Sequence, residues 1–88
     1  MTATHCIIHG KVQSVFYRDW TVATARSLGI AGWVRNLPDG TVEAQLEGER
    51  ETIARMIEAM RGGPPRAAPT HIDTREVPGE GFDTFERR

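Results

Sequence analysis

The chain has 88 residues, a net charge of −1, and 39% hydrophobic against 26% charged residues, which is the composition of one small globular domain. The balanced charge argues against a nucleic-acid-binding protein or one that sits on an anionic membrane. A single cysteine, Cys6, excludes an internal disulfide, and no leader or membrane-spanning run is visible. We therefore expect a cytoplasmic monomer, with residues 1–88 forming a single domain.

The first part of the chain predicts a strand, a loop and a helix. Residues 4–10 alternate as a strand, with Cys6 and Ile8 facing the core. A loop follows over residues 11–18. Residues 19–28 have the periodicity of an amphipathic helix. Its apolar stripe consists of Tyr17, Thr21, Ala25 and Leu28.

The middle of the chain predicts a hairpin and a second helix. The strands cover residues 30–36 and 41–47, and the intervening Leu37-Pro38-Asp39-Gly40 is a typical turn. The second strand of this hairpin alternates cleanly, which predicts one covered face and one solvent-exposed face. Val42, Ala44 and Leu46 are expected to point inward, and Glu43, Gln45 and Glu47 outward. The helix over residues 49–61 has an apolar face of Ile53, Met56, Ile57 and Met60.

The last part predicts a proline-rich loop over residues 62–70, a strand over 71–77 and a short edge strand within 82–87, with Phe82 or Phe85 inward. The element order is β-α-β-β-α-β. Helices and strands that each have one apolar face pack as two layers. We predict an α+β fold, a ferredoxin-like α/β sandwich with two helices on one face of an antiparallel sheet.

The loop over residues 11–18 is the candidate for chemistry. It leads into a helix N-terminus, where free backbone N–H groups and the helix dipole attract an anion, and Arg18 lies there. A Walker A loop is excluded because Gly10-Lys11 is followed by Val12 rather than Ser or Thr. A cysteine phosphatase is excluded because residues 12–17 contain no cysteine.

The remaining histidines and the cysteine give no second site in the sequence. His5 and His9 share a strand face, but four residues of strand separate them by about 13 Å, which is too far to bind one zinc. Cys6 and His9 lie on opposite faces of the strand and make a poor nucleophile–base pair. We therefore expect both histidines to be ordinary sheet residues and Cys6 to be a small buried hydrophobe.

Arg18, the loop backbone and Asn36, at the end of the second strand, remain as candidates. An arginine fork binds two phosphoryl oxygens, and an asparagine can orient a water molecule without acting as a base. With no strong general acid or metal, such a site requires a leaving group that departs unprotonated, for example the carboxylate of an acyl phosphate, whose pKa is about 4. Each residue alone also has an ordinary interpretation: Arg18 as a surface residue and Asn36 as a turn cap.

Two segments of the chain, Gly10–Arg18 and Gly32–Gly48, resemble the two signature motifs of the acylphosphatase family. The family's loop, Gly-x-Val-Gln-Gly-Val-x-Phe-Arg, corresponds to Gly10–Arg18. Its second motif, Gly-aromatic-Val-basic-Asn followed by Gly-x-Val and a later Gly, corresponds to Gly32–Asn36, Gly40–Val42 and Gly48. The two motifs occur in the family's element order, and together they are far more specific than either one.

The resemblance implies hydrolysis of a small-molecule acyl phosphate to a carboxylate and inorganic phosphate, with no cofactor and no metal. It implies that Arg18 binds the phosphoryl group and that Asn36 orients the attacking water. The backbone of the loop would complete the phosphate site through Lys11, Val12, Gln13, Ser14, Val15 and Phe16. Two other hypotheses stay open: a catalytically weak anion-binding or regulatory module, and an RNA-binding sheet, which the charge balance disfavours.

The loop departs from the family motif at two positions. Ser14 replaces the second glycine. If this position requires a positive φ, a non-glycine residue costs about 1–2 kcal/mol there. Tyr17 replaces phenylalanine and adds a hydroxyl that needs a partner if it is buried.

Overall fold

The computed structural model describes residues 2–88, which form seven elements. In chain order they are β1 (Thr2–Lys11), α1 (Tyr17–Ser27), β2 (Ala31–Asn36), β3 (Val42–Gly48), α2 (Arg50–Gly62), β4 (Ala68–Pro78) and β5 (Phe85–Arg87). The predicted order of helices and strands is confirmed. The boundaries differ by a few residues, most at β4, which begins within the stretch predicted as a proline-rich loop.

The sheet has five strands in the order β4-β1-β3-β2-β5. Four strands pair antiparallel, as predicted for a ferredoxin-like sandwich. The predicted short edge strand is β5, but it pairs parallel to β2, so the sheet is mixed. Beyond β4 the chain reverses direction and reaches the free edge of β2, which runs the same way as β5.

β4 begins earlier in the chain than predicted, because its pairing with β1 continues past a shift in register. The register between the two strands shifts at His9 and Gly10, and Lys11 then pairs with Ala68. Gly10 has a φ of +112°, and a Cβ at this position would lie 2.4 Å from the carbonyl oxygen of Ala68. Only glycine permits this approach of the two backbones.

The core lies between the sheet and the two helices, as the apolar stripes predicted. Cys6 and Ile8 are fully buried on the helix side, and α2 contributes Ile53, Met56 and Met60. Tyr17 is buried at the start of α1, and its hydroxyl donates a 2.8 Å hydrogen bond to the carbonyl oxygen of Met60. The Tyr17 hydroxyl, which the family's phenylalanine lacks, therefore has the hydrogen-bond partner that its burial requires. Neither α1 nor α2 has the length and hydropathy that a membrane crossing requires.

The outer face of β3 was predicted to be solvent-exposed, and this is wrong for Gln45 and Glu47. They are 5% and 1% exposed, because the chain between β4 and β5 folds over them. The carboxylate of Glu47 accepts hydrogen bonds from the backbone N–H groups of Glu80 and Gly81, at 2.8 and 3.0 Å, and from the side chain of Gln45. Burial alone would raise the pKa of Glu47, but these hydrogen bonds outweigh it and lower the pKa.

Candidate active site

A cleft of about 320 Å³ opens where the loop after β1 meets the start of α1 and the end of β2. It contains side chains from three distant parts of the chain. The lining residues are Val12, Ser14, Phe16, Tyr17, Arg18, Asp19, Asn36 and Arg87. Two cationic side chains and one anionic side chain give the cleft a positive balance, which favours an anion.

The loop between β1 and α1 takes its shape from two left-handed residues. Ser14 has a φ of 61° and Phe16 has a φ of 60°. No other non-glycine residue between positions 2 and 88 has a positive φ. Ser14 therefore occupies a left-handed conformation that the family's glycine would adopt easily. The sequence predicts strain at Ser14 if this position requires a positive φ, and the structure shows that it does. Phe16, whose side chain is 75% exposed, was not expected to be strained. Backbone strain of this kind concentrates at functional sites.

The left-handed residue Phe16 directly precedes α1 and leaves the first N–H groups of the helix free. The first helical hydrogen bond runs from the N–H of Trp20 to the carbonyl of Phe16, at 2.9 Å. No N–H group of residues 12–19 donates to a backbone acceptor in the described part of the chain. The loop and the first helical turn therefore offer unpaired donors at the positive end of the helix dipole.

Arg18 lies half-buried in the first turn of α1, with its guanidinium largely free. Its only hydrogen bond within the described residues is a 3.2 Å contact from Nη1 to the carbonyl oxygen of Arg88. Its remaining N–H donors are available to a ligand. Arg87, on β5, pairs instead with the Asp19 carboxylate at 2.9 Å, which offsets a negative charge that would otherwise repel an anion.

Asn36 ends β2 at the opposite side of the cleft. Its Oδ1 atom is buried and accepts no hydrogen bond from any residue between positions 2 and 88. Buried side-chain acceptors are nearly always paired, so this oxygen at the border of the cleft is a candidate partner for a bound ligand or a water molecule.

Gln13 connects the two sides of the site. Its side-chain amide donates two 2.8 Å hydrogen bonds, one to the carbonyl of Leu37 and one to the carbonyl of Thr41. These carbonyls belong to the hairpin that carries Asn36. The Gln13 side chain therefore helps to hold the loop and Asn36 in their relative positions.

Cys6 is not available as a nucleophile. It lies fully buried in the core, and this burial raises the pKa of its thiol to about 12. The prediction that Cys6 is a small buried hydrophobe is confirmed.

The structure brings together most of the residues that the sequence singled out. Arg18, Asn36, Val12, Ser14 and Phe16 line one cleft, whereas Lys11, Gln13 and Val15 do not. Lys11 is the last residue of β1 and is exposed, and Val15 is buried in the core.

The sequence reasoning missed Arg87. The sequence hinted at Arg87 only through the high density of charged residues in the last strand. The position of that strand beside α1 could not be predicted without the pairing of β5 with β2.

Comparison with known proteins identifies a family. The family model for acylphosphatase matches residues 4–87. A curated acylphosphatase from Acaryochloris marina is 51% identical over 80 residues, covering 91% of this chain and 86% of its own.

Solved structures agree. The crystal structure of an acylphosphatase from Bacillus subtilis has a TM-score of 0.97 at 32% identity, covering 100% of this chain and 99% of that one. A Coxiella burnetii acylphosphatase structure has a TM-score of 0.95 at 38% identity, with 99% and 92% coverage.

Proposed function

The chain belongs to the acylphosphatase family, and we propose that Arg18 and Asn36 carry the two central tasks of its reaction. The protein hydrolyses the carboxyl–phosphate bond of small acyl phosphates, which yields a carboxylate and inorganic phosphate. The observation that carries the residue assignment is the placement of both side chains on one cleft, one as a free cation and the other as an unpaired acceptor.

Arg18 binds the phosphoryl group together with the backbone of the adjacent loop. Its planar fork matches two phosphoryl oxygens, and the free N–H groups of the loop and first helical turn reach the others. The same donors stabilise the charge that builds on these oxygens during transfer. The left-handed conformations of Ser14 and Phe16 support this role, because they hold the loop in the shape that leaves the donors free.

Asn36 orients the attacking water. Its buried Oδ1 accepts one O–H of the water and aims the oxygen at phosphorus, opposite the leaving group. Asn36 is not a base and does not take the proton, which passes from the attacking water to a phosphoryl oxygen and leaves with the product phosphate. The leaving carboxylate has a pKa of about 4, so it departs without protonation and the site needs no general acid.

The test is hydrolysis of a small aromatic acyl phosphate by the wild type, Arg18→Ala and Asn36→Ala. Loss of one donor to a developing anion typically costs about 10²–10³ in rate, so Arg18→Ala should lose at least that in kcat/KM. Asn36→Ala loses the orientation of the attacking water, and a misplaced reactant costs about 10²-fold. The exposed Arg66→Ala is the matched control for loss of a surface guanidinium, and it should retain full activity.

A second measurement separates the two roles. Competitive inhibition by inorganic phosphate should weaken strongly in Arg18→Ala and stay close to wild type in Asn36→Ala. Equal activity in wild type and both variants would overturn the assignment. Phosphate binding by wild-type protein without turnover would instead favour the anion-binding module.

We also propose that the protein works in the cytoplasm as a monomer. The single cysteine is buried and free, which suits a reducing compartment, and the cleft is built from residues of one chain. Size-exclusion chromatography with light scattering tests the monomer directly.

A further inference from the structure

A second cluster of functional side chains lies on the open face of the sheet, and the phosphoryl site does not use it. His9 on β1 stands directly opposite His71 on β4. Their rings stack with centroids 4.0 Å apart and planes inclined by 11°. Asp73 lies on the same face of β4, and its Oδ2 is 2.9 Å from Nε2 of His9 and 3.7 Å from Nε2 of His71.

We propose that His9, His71 and Asp73 form a binding site for a divalent transition cation such as Zn²⁺. One ring nitrogen from each histidine and one carboxylate oxygen of Asp73 all lie within 4.8 Å of one another. Ligand atoms about 2.0–2.1 Å from a tetrahedral metal are about 3.3 Å apart, and the observed contacts of 2.9 and 3.7 Å bracket this separation. Two imidazole nitrogens with one carboxylate oxygen are a ligand set that suits Zn²⁺, Ni²⁺ or Cu²⁺ rather than Mg²⁺ or Ca²⁺.

The electrostatics of the cluster also favour a cation. Asp73 places a carboxylate beside both imidazole rings, so a metal ion bound there would face a negative charge.

The site is open and needs little rearrangement. The side chains of His71 and Asp73 are 57% and 66% exposed, and that of His9 is 32% exposed, so a hydrated ion can reach all three. The stacked rings need only tilt towards each other for their lone pairs to converge. Three protein ligands would leave the remaining coordination positions to water.

The consequence of binding follows from the strand order. β4 is an edge strand and β1 is its only neighbour, so one metal ion would join the edge to the sheet. β1 also continues into the phosphate loop two residues after His9. This site is independent of the proposed roles of Arg18 and Asn36.

The experiment is calorimetric titration of the full chain with Zn²⁺, and it should give one site per chain. Free Zn²⁺ at 100 times the measured Kd should then lower the unfolding constant about 100-fold. Histidine ¹H–¹⁵N spectra should show the Nε2 resonances of His9 and His71 shifting together, with those of His5 unchanged.

His71→Ala and Asp73→Asn separate binding from folding, since both positions are exposed and the variants should remain folded. His71→Ala should abolish the site, and Asp73→Asn should raise the Kd at least tenfold. The control is His5→Ala, because His5 contacts Glu43 and not this cluster. Absence of saturable Zn²⁺ binding by the wild type, or unchanged binding by His71→Ala, would overturn the proposal.

Discussion

Replacing Glu47 with glutamine tests whether one buried carboxylate holds the chain between β4 and β5. Glu47 is 1% exposed and accepts hydrogen bonds from the N–H groups of Glu80 and Gly81 and from the side chain of Gln45. A weaker contact of 3.4 Å comes from the N–H of Phe82. The glutamine would keep one acceptor and turn an NH₂ group towards the other donors, so at least two of these bonds are lost.

The magnitude follows from the bonds that are lost. A hydrogen bond to a charged group contributes about 1.5–3 kcal/mol, and two bonds give about 3–6 kcal/mol. The substitution also removes the cost of burying a charge, so we expect the lower end, about 3 kcal/mol. A domain of this length has a total stability of roughly 4–13 kcal/mol, so this loss is large.

The stability difference between wild type and Glu47→Gln should depend on pH, and the direction follows from the pKa of Glu47. The folded-state pKa of Glu47 is lowered below its ordinary value, so its contribution is complete above the unfolded pKa of 4.5. The contribution is lost as the pH falls through the folded pKa. The difference in unfolding free energy between wild type and Glu47→Gln should therefore shrink from about pH 5 downward.

Urea unfolding at neutral and acid pH measures both quantities. Glu76→Gln is the control, because its side chain is 66% exposed and its ion pair with Arg50 is long, at 3.6 Å. It should change the unfolding free energy by less than about 0.5 kcal/mol. A neutral-pH loss in Glu47→Gln no larger than in this control, or a loss that does not depend on pH, would refute the reasoning.

Three further predictions concern the loop and the core. Gln13→Met keeps the side-chain length but removes both amide contacts, to the carbonyls of Leu37 and Thr41. Urea unfolding should show a loss of about 1–3 kcal/mol in the free energy of unfolding. An unchanged kcat would contradict the bridging role of Gln13. Ser14→Gly relieves a φ of 61° at a cost in chain entropy, and the same assay should show a gain of up to about 1 kcal/mol; a loss of stability would show that the serine is not strained. Cys6, with its thiol pKa raised to about 12, should react with a disulfide reagent at pH 8 only after unfolding in urea, and rapid labelling of native protein would disprove its burial.

The sequence predicted most of what depends on neighbours along the chain. The apolar face of α2 has the helical period, and both Arg18 and Asn36 fall in motifs whose elements the pattern identifies. The β2–β3 turn was predicted from Pro38 and Gly40, because their backbone preferences are local. These features need no knowledge of which strand pairs with which.

The features that the sequence did not predict all depend on long-range pairing. The alternating pattern of β3 predicted that Glu47 is exposed to solvent. A two-residue period identifies the two faces of a strand, but it does not show what covers each face. The partner of His9 was sought at His5 on the same strand, whereas it is His71 on the neighbouring one. Arg87 lines the cleft because β5 pairs parallel to β2, and the sequence did not predict this pairing.

Polar contacts between elements help to set the geometry of the candidate cleft. Arg18 lies in the first turn of α1, Asn36 ends β2 and Arg87 lies on β5, so no single packed element holds all three. Gln13 fixes the loop to the hairpin, and the Glu47 carboxylate fixes the segment that leads to β5. A loss of either contact can displace the groups to which we assign catalytic roles by a fraction of an ångström while the core stays packed, and such displacements lower the rate. Activity in Gln13→Met should therefore fall by more than its fraction of unfolded protein can explain.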